Sequence, residues 1–400
     1  MDEDLIDIAV KRTDPSAPDL ESAVLQRYGN AATEVEACLC LPVSYDRALL
    51  EVIPKEIIEK DYGCGDPSRY VRAGETVLDL GSGSGKACYI IAQIVGAQGK
   101  VIGIDFNRPM LELARKYQKS IGDELGYHNV EFRRGKIQDL QTDLELLDRY
   151  LESNPVRSVD DLARLERFEN TIRTEQPLVP DESVDVIVSN CVLNLVRPED
   201  KKKLFAEMCR VLKRGGRAVI SDIVSDEPVP DHLAQDANLW SACVSGAFQE
   251  EDFLSAFEAA KFHGMQIEDF AAKPYQTVEG IEFRSITVTA FKGKEGPCIE
   301  RNQAVIYRGP WKRVVDDDGH TLERGARVAV CDKTYKLYSE PPYENQFIPV
   351  PPREEVAVEK AGVFDCARDH KRHPRETKGA EFKFTQLPSG ICGPGTNCCP

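Results

Sequence analysis

Thr76-Val-Leu-Asp-Leu-Gly-Ser-Gly-Ser-Gly85 is the stretch whose reading decides the fold. Val77 to Leu80 reads as a short buried strand, and Ala87 to Val95 as an apolar helix. Between them lies a glycine-rich turn. Strand, Gly-x-Gly-x-Gly turn and helix together let a ligand approach bare backbone N–H groups. The pattern by itself suits dinucleotide-binding and S-adenosylmethionine-binding folds alike.

The surrounding chain alternates strand and helix. Strands are expected at Thr76–Leu80, Val101–Asp105, Val130–Arg133, Val184–Ser189 and Arg217–Ser221. Helices are expected at Lys86–Val95, Pro109–Ile121, Asp200–Leu212, Asp231–Leu239 and Glu250–Ala260, with late strands near Met265–Phe270 and Arg284–Lys292. This order implies an α/β fold with a doubly wound parallel sheet and helices on both faces. The interval from Leu140 to Val179 exceeds what one crossover needs. Leu144–Leu151 and Val159–Phe168 have helical apolar spacing, with Ser158 as N-cap, so a two-helix insertion (140–179) is expected.

On that basis residues 1–70 form an N-terminal cysteine-bearing segment, with a short helix at Asp19–Tyr28, and 71–293 the sheet domain. Residues 294–385 form a small β-rich domain, with short strands at Val305–Tyr307, Arg327–Val330 and Tyr335–Tyr338. Pro341-Pro342 and Pro349 to Pro352 read as stiff linkers, Asp369 to Lys378 as a solvated basic patch, and 386–400 as a flexible cysteine-rich tail.

The 400 residues are 42% hydrophobic and 30% charged, in the range of a soluble globular protein. A net charge of −16 argues against nucleic acid or an anionic membrane as main partner. No run is apolar enough to span a bilayer, and the acidic start Met-Asp-Glu-Asp lacks a leader pattern, so a cytoplasmic protein with reduced thiols is expected. The thirteen cysteines include no Cys-x-x-Cys pair, which removes zinc-ribbon spacing.

Asp105 ends the second strand, where a carboxylate hydrogen-bonds ribose hydroxyls. Asp79 precedes the glycines, where a dinucleotide has no need of it. Gln138 follows the third strand, and Asn190-Cys191 ends the fourth, at the ligand crevice of such a sheet. These features favour S-adenosylmethionine over NAD. The candidate cofactor set is Tyr62, Asp79, Gly81, Ser82, Gly83, Gly85, Asp105, Phe106, Asn107, Ile137, Gln138 and Asn190.

Cys191 lies beside that expected cofactor. Cys243 follows the fifth strand, and the loops after strands four and five adjoin in this fold. Cys64, flanked by glycines, reads as an accessible thiol able to cover the same face. Three thiols suit a soft centre. Trivalent arsenic held by them keeps a lone pair, so no general base is required. Cys88 and Cys209 fall in helices and read as core; Cys298, Cys331 and Cys366 have no partner spacing. Cys392, Cys398 and Cys399 read as a metalloid-capturing or an inert tail.

Asp79-Leu-Gly-Ser-Gly-Ser-Gly85 with Cys88-Tyr89, Ser189-Asn-Cys-Val-Leu-Asn-Leu-Val196, Arg210-Val-Leu-Lys-Arg-Gly-Gly216, Ser221-Asp222 and Trp240-Ser-Ala-Cys243 together resemble the arsenite S-adenosylmethionine methyltransferase family. Tyr62-Gly-Cys64-Gly resembles its second cysteine motif, and Val305-Ile-Tyr307 its C-terminal domain. The resemblance implies a class I, Rossmann-like methyltransferase with a doubly wound seven-stranded sheet and a smaller C-terminal β-rich domain. It implies a metalloid-binding region near 225–260, and arsenic(III) on Cys191, Cys243 and a third thiol, Cys64. It also implies that Cys64 pairs with an N-terminal cysteine, re-reduced by thioredoxin or glutathione. The substrate would be arsenite or its thiol conjugates. Cys38 and Cys40 compete for the N-terminal role, with Cys38 favoured. The insertion 140–179 departs from the family pattern. Two other functions stay open: methylation of another soft or organic acceptor, and metalloid sequestration without turnover.

Overall fold

The computed structural model describes residues 20–385 apart from 35, 37–42, 44, 61 and 369. Cys38, Cys40, the proposed Asp19 cap and the tail 386–400 therefore lie outside the described residues. The chain divides into two compact units at Gly293/Lys294.

The first unit opens with α1 (Leu20–Ala31), α2 (Arg47–Leu50) and α3 (Lys55–Glu59). Then follow β1 (Thr76–Leu80), α4 (Lys86–Val95), β2 (Lys100–Asp105), α5 (Arg108–Leu125) and β3 (Val130–Arg134). After the insertion helices α6 (Leu144–Ser153) and α7 (Val159–Glu175) come β4 (Val184–Asn190), α8 (Pro198–Val211) and β5 (Leu212–Ser225). The unit closes with α9 (Asp231–Ala234), α10 (Ala237–Ser241), β6 (Phe248–Gln249), α11 (Glu250–Ala259), β7 (His263–Phe270), β8 (Gln276–Val278) and β9 (Ile281–Phe291). The single helix expected at Asp231–Leu239 is two short ones, because Asp236 caps α10 through the amides of Asn238 and Leu239.

The strands run in the order β3-β2-β1-β4-β5-β9-β7, with β6 added on β5 and β8 on β9. β1 to β5 are parallel, while β9 is antiparallel to β5 and to β7. The order reverses between β1 and β4, and ligands bind beyond the strand ends at such a switch point. Alternate residues of β1 serve two cores. Leu78 and Leu80 join Leu204, Phe205, Met208, Phe253 and Phe257 of α8 and α11. Val77 joins Ile90 and Ile91 of α4 and Leu111 of α5 on the other face. Burial on both faces explains why the strand reads as a continuous apolar run, and Asp79 as its exception.

In the insertion, Ser158 caps α7 as expected, and the Tyr150 and Phe168 rings stack at 4.0 Å. Arg173 of α7 donates to Asp139 at 2.7 Å, beside Gln138.

The second unit comprises β10 (Ile299–Glu300), β11 (Ala304–Tyr307), β12 (Arg313–Val315), β13 (Thr321–Glu323), β14 (Arg327–Ala329), α12 (Asp332–Leu337), β15 (Phe347–Val350), β16 (Gly362–Val363) and α13 (Pro374–Lys378). Three expectations fail here. Tyr335–Tyr338 is not a strand. Cys331 caps a helix at that point, and Tyr338 stacks on Phe347 at 4.4 Å. Pro349 belongs to β15, paired with Val305, rather than to a linker. The basic stretch is partly interior: Arg372 is buried and bonds Glu300 and Glu376.

Candidate active site

The turn after β1 is stitched to β2. Gly81 N–H and Ser82 N–H donate to the Ile104 carbonyl at 2.8 and 2.9 Å, and Gly83 N–H donates to the Asp105 carboxylate at 2.9 Å. Asp105 also accepts from Asn107 N–H at 2.7 Å; its burial nevertheless raises the carboxyl's pKa. Asp79 is buried on the α4 side of the sheet and accepts from the Cys88 thiol at 3.1 Å. Cys88 is thus core, as expected, with a polar duty added. Gly81 has φ +75°, and a Cβ there would lie 2.5 Å from Val192. Only glycine fits both conditions.

These residues open onto a cleft of about 1140 Å³, its mouth included. Asp79, Gly81, Ser82, Gly83, Asp105, Phe106, Asn107, Ile137, Gln138, Asn190 and Tyr62 all line it. Gly85 does not. It is the left-handed residue before α4, where a Cβ would lie 2.7 Å from Phe132, so its constraint is packing. Asn107 also caps α5 and donates to the Leu25 carbonyl at 3.1 Å, tying α1 to the sheet.

Beside this cleft a smaller one, about 290 Å³, is lined by Cys64, Cys191, Cys243, Tyr28, Tyr62 and Tyr275 among others. Cys191, Tyr28 and Tyr62 line both. The Cys191 thiol feels those of both Cys64 and Cys243, which places it between the other two. The three sulfurs do not yet close to within 4.8 Å of one another. Burial, then the neighbouring thiols, pushes the Cys191 thiol well above its ordinary range; burial chiefly raises Cys64.

Backbone geometry aims these thiols. Cys191 and Cys243 have φ of 61° and 60°, a left-handed conformation that costs a non-glycine residue about 1–2 kcal/mol. Bonds around them hold it. Cys191 N–H donates to the Ser221 carbonyl at 2.8 Å, and the Cys243 thiol to the Cys191 carbonyl at 2.9 Å. Asp222 accepts from Leu193 N–H at 2.9 Å, and the Asn194 amide donates to the carbonyls of Ile223 and Cys243. Burial lifts the Asp222 carboxyl to about 6.

Cys64 is on an irregular loop, as expected, but it is buried rather than accessible. Asn190 is the reason. Its carbonyl oxygen accepts from Cys64 N–H at 2.8 Å and Gly65 N–H at 3.1 Å, and its amide donates to the Gly65 carbonyl at 2.8 Å. A side chain at Gly63 would collide with Asn190 at 2.3 Å. Asn190 therefore docks the thiol loop as well as lining the larger cleft.

Tyr28, Asp222 and Asn194 were not among the candidate residues. Tyr28 lies on α1 with its hydroxyl 3.7 Å from the Cys243 sulfur, and α1 is held there by Arg27, which donates to the Asn238 carbonyl and Ser241 hydroxyl of α10. Burial, then Cys243, raises the Tyr28 hydroxyl's pKa well above its ordinary value, so it stays protonated. No local pattern marks Tyr28. Asp222 and Asn194 fall inside stretches the resemblance had quoted.

Residues 72–261 match a family described as a methyltransferase domain, and residues 294–382 a domain of unknown function. The chain is 33% identical to an arsenite methyltransferase of Aquipseudomonas alcaligenes, over 82% of this chain and 90% of the relative. It is 27% identical to the arsenite methyltransferase of Rattus norvegicus, over 96% and 99%. The crystal structure of an arsenic(III) S-adenosylmethionine methyltransferase from Chlamydomonas reinhardtii superposes with a TM-score of 0.52 at 27% identity, covering 81% of this chain and all of that one. Among the described residues no helix is long and apolar enough to cross a membrane. With a switch-point cleft, an adjoining three-thiol pocket and similarity along most of its length, the chain belongs to the arsenite methyltransferase family.

Proposed function

We propose that this enzyme methylates trivalent arsenic held by Cys64, Cys191 and Cys243, with S-adenosylmethionine in the larger cleft. The observation that carries the reading is Cys191 lining both clefts, so a ligand on its sulfur abuts the donor cavity. The cleft suits this cofactor. It offers a buried Ser82 hydroxyl without a protein partner and two carboxylates, Asp79 and Asp105, for a cation and a diol. When bound, S-adenosylmethionine supplies an electrophilic methyl group on a sulfonium centre.

The thiols bind and position. Arsenous acid exchanges its hydroxyls for three neutral thiols and releases water, so the raised thiol pKa values of Cys64 and Cys191 are no obstacle. Arsenic's own lone pair is the nucleophile, and Tyr28 and Tyr62 wall the junction against solvent. Gaining a methyl group leaves arsenic pentavalent. Attack of the Cys38 thiol on the arsenic-bound Cys64 sulfur would form the Cys38–Cys64 disulfide as the As–S bond breaks. That bond's electron pair stays on arsenic, returning it to the trivalent state, and the Cys38 proton goes to solvent. Thioredoxin or glutathione, in a reducing cytoplasm, would reopen that disulfide.

Incubation with arsenite, S-adenosylmethionine and a thiol, followed by mass spectrometry, tests the reading. Methylated arsenic is expected from the wild type, and none from Cys191→Ser or Cys243→Ser. Turnover surviving both substitutions would place the acceptor elsewhere.

A further inference from the structure

Every described cysteine of the second unit sits in one cluster. Cys298 immediately precedes β10, which pairs antiparallel with β16 through Ile299↔Val363 and Glu300↔Gly362. Extending that register sets Cys298 opposite Phe364, and Phe364 N–H donates to the Cys298 carbonyl at 2.9 Å. Cys366 lies two residues further on, its thiol 3.9 Å from the Phe364 carbonyl. Cys331 arrives from a third segment as the cap of α12, its sulfur accepting from Thr334 N–H at 3.5 Å. Cys298 packs against Cys331, and its thiol lies close enough to those of Cys331 and Cys366 to feel both electrostatically.

The cluster repeats the logic of the methyl-transfer site within a different fold. A middle thiol, Cys298, lies beside two outer ones, as Cys191 does. Its floor is apolar, made of Ala329, Phe364 and Cys331. Exposure is graded, with Cys331 buried, Cys298 half-buried and Cys366 exposed, so a ligand has an entry side. The frame is braced, because Glu300 beside Cys298 is gripped by Arg372 and Arg368. A cation, Lys333, acts on the Cys298 thiol and opposes the rise that burial causes. Among the described residues the three thiols do not close to within 4.8 Å of one another, and no carboxylate or imidazole completes such a group with them, so the fourth protein ligand of a structural zinc site is missing. A soft three-coordinate centre is what remains.

We propose that Cys298, Cys331 and Cys366 form a second trivalent-arsenic site, confined to the C-terminal unit and chemically independent of Cys64, Cys191 and Cys243. Three neutral thiols displace three hydroxyls from arsenous acid as water, forming three As–S bonds with no change of oxidation state. Rotation of the exposed Cys366 side chain completes the triangle around the ion. The unit would then hold arsenite, or its methylated trivalent products through fewer sulfurs, apart from the reacting centre.

The test uses the full chain with serine at Cys38, Cys40, Cys64, Cys191, Cys243, Cys392, Cys398 and Cys399, so failure of the transfer-site reading cannot imitate failure here. After reduction and arsenite titration, one arsenic per chain is expected, with three sulfur neighbours by X-ray absorption. Adding Cys366→Ser, an exposed change that leaves the fold intact, should leave two sulfurs and weaken binding at least about tenfold; adding Cys298→Ser should abolish it. In the otherwise intact chain, Cys366→Ser should lower the tightly bound arsenic by one. No binding by the reduced eight-serine chain with its circular dichroism unchanged, binding indifferent to Cys366 and Cys298, or zinc displacing arsenite from the cluster would each overturn the proposal.

Discussion

The Cys243 thiol donates to the backbone carbonyl of Cys191 at 2.9 Å, and both residues have left-handed backbone. The two loops that present them thus meet sulfur to backbone, with Asn194 bonded across the same seam. Strain at two thiol positions of one pocket allows their effect on stability to be measured apart from their proposed binding of arsenic.

Cys191→Gly and Cys191→Ala should both abolish methylation, since each removes the middle thiol. They should differ in stability. Glycine relieves the left-handed cost, so Cys191→Gly is expected to be about 1 kcal/mol more stable than Cys191→Ala by urea unfolding. Equal stabilities would mean the backbone relaxes out of the left-handed region once sulfur is gone.

Asn190→Ala should act mainly on arsenic rather than on the cofactor. It strips the acceptor from two amides of the Cys64 loop. Losing such bonds costs about 2 kcal/mol, or roughly thirtyfold. The expected result is a KM for arsenite raised by that order and a cofactor Kd changed only a few-fold, measured by initial rates and calorimetry. A cofactor affinity that falls as far as the arsenite KM rises would make Asn190 chiefly a cofactor ligand.

Gly81→Ala should abolish cofactor binding, because its Cβ would sit 2.5 Å from Val192 at φ +75°. Val192→Ala alone removes the colliding methyls and should be mild. The double variant should recover part of the affinity but not all, since the backbone penalty of about 1–2 kcal/mol persists. Equilibrium binding of labelled S-adenosylmethionine reads both terms.

The raised pKa of Cys64 and Cys191 sets a direction with pH. Raised values mean less thiolate at neutral pH. Iodoacetamide labelling of these two cysteines, read by peptide mass spectrometry, should be slow at pH 7. It should keep rising about tenfold per pH unit beyond the point where a free cysteine levels off. Arsenite binding should release water and no protons, so calorimetric enthalpies should agree between buffers of different ionisation enthalpy. A buffer-dependent enthalpy would show that the thiols are ionised before they bind.

The helix Lys86–Val95 and the strand Thr76–Leu80 were legible to the residue, because buried parallel strands and glycine-bounded helices carry their instructions locally. Tyr335–Tyr338 was misread for the converse reason. Alternating aromatics look like a strand, yet a cysteine cap and a ring stacked on Phe347 make a helix. The glycines beside Cys64 suggest an accessible thiol, yet Gly63 serves to let Asn190 approach and Gly65 to let Ser221 approach.

Sequence by itself determined the sheet and the glycine turn, and it singled out Cys64, Cys191 and Cys243 as candidates, since each is written in a contiguous motif. Only the tertiary structure decided which thiols share a pocket. Tyr28 meets Cys243 across 215 positions, and Cys298 meets Cys331 and Cys366 because strand pairing and a helix cap deliver them to one point. Neither encounter leaves a periodicity in the chain. Each is fixed by the packing of whole elements, a non-local property that spacing along a sequence does not encode.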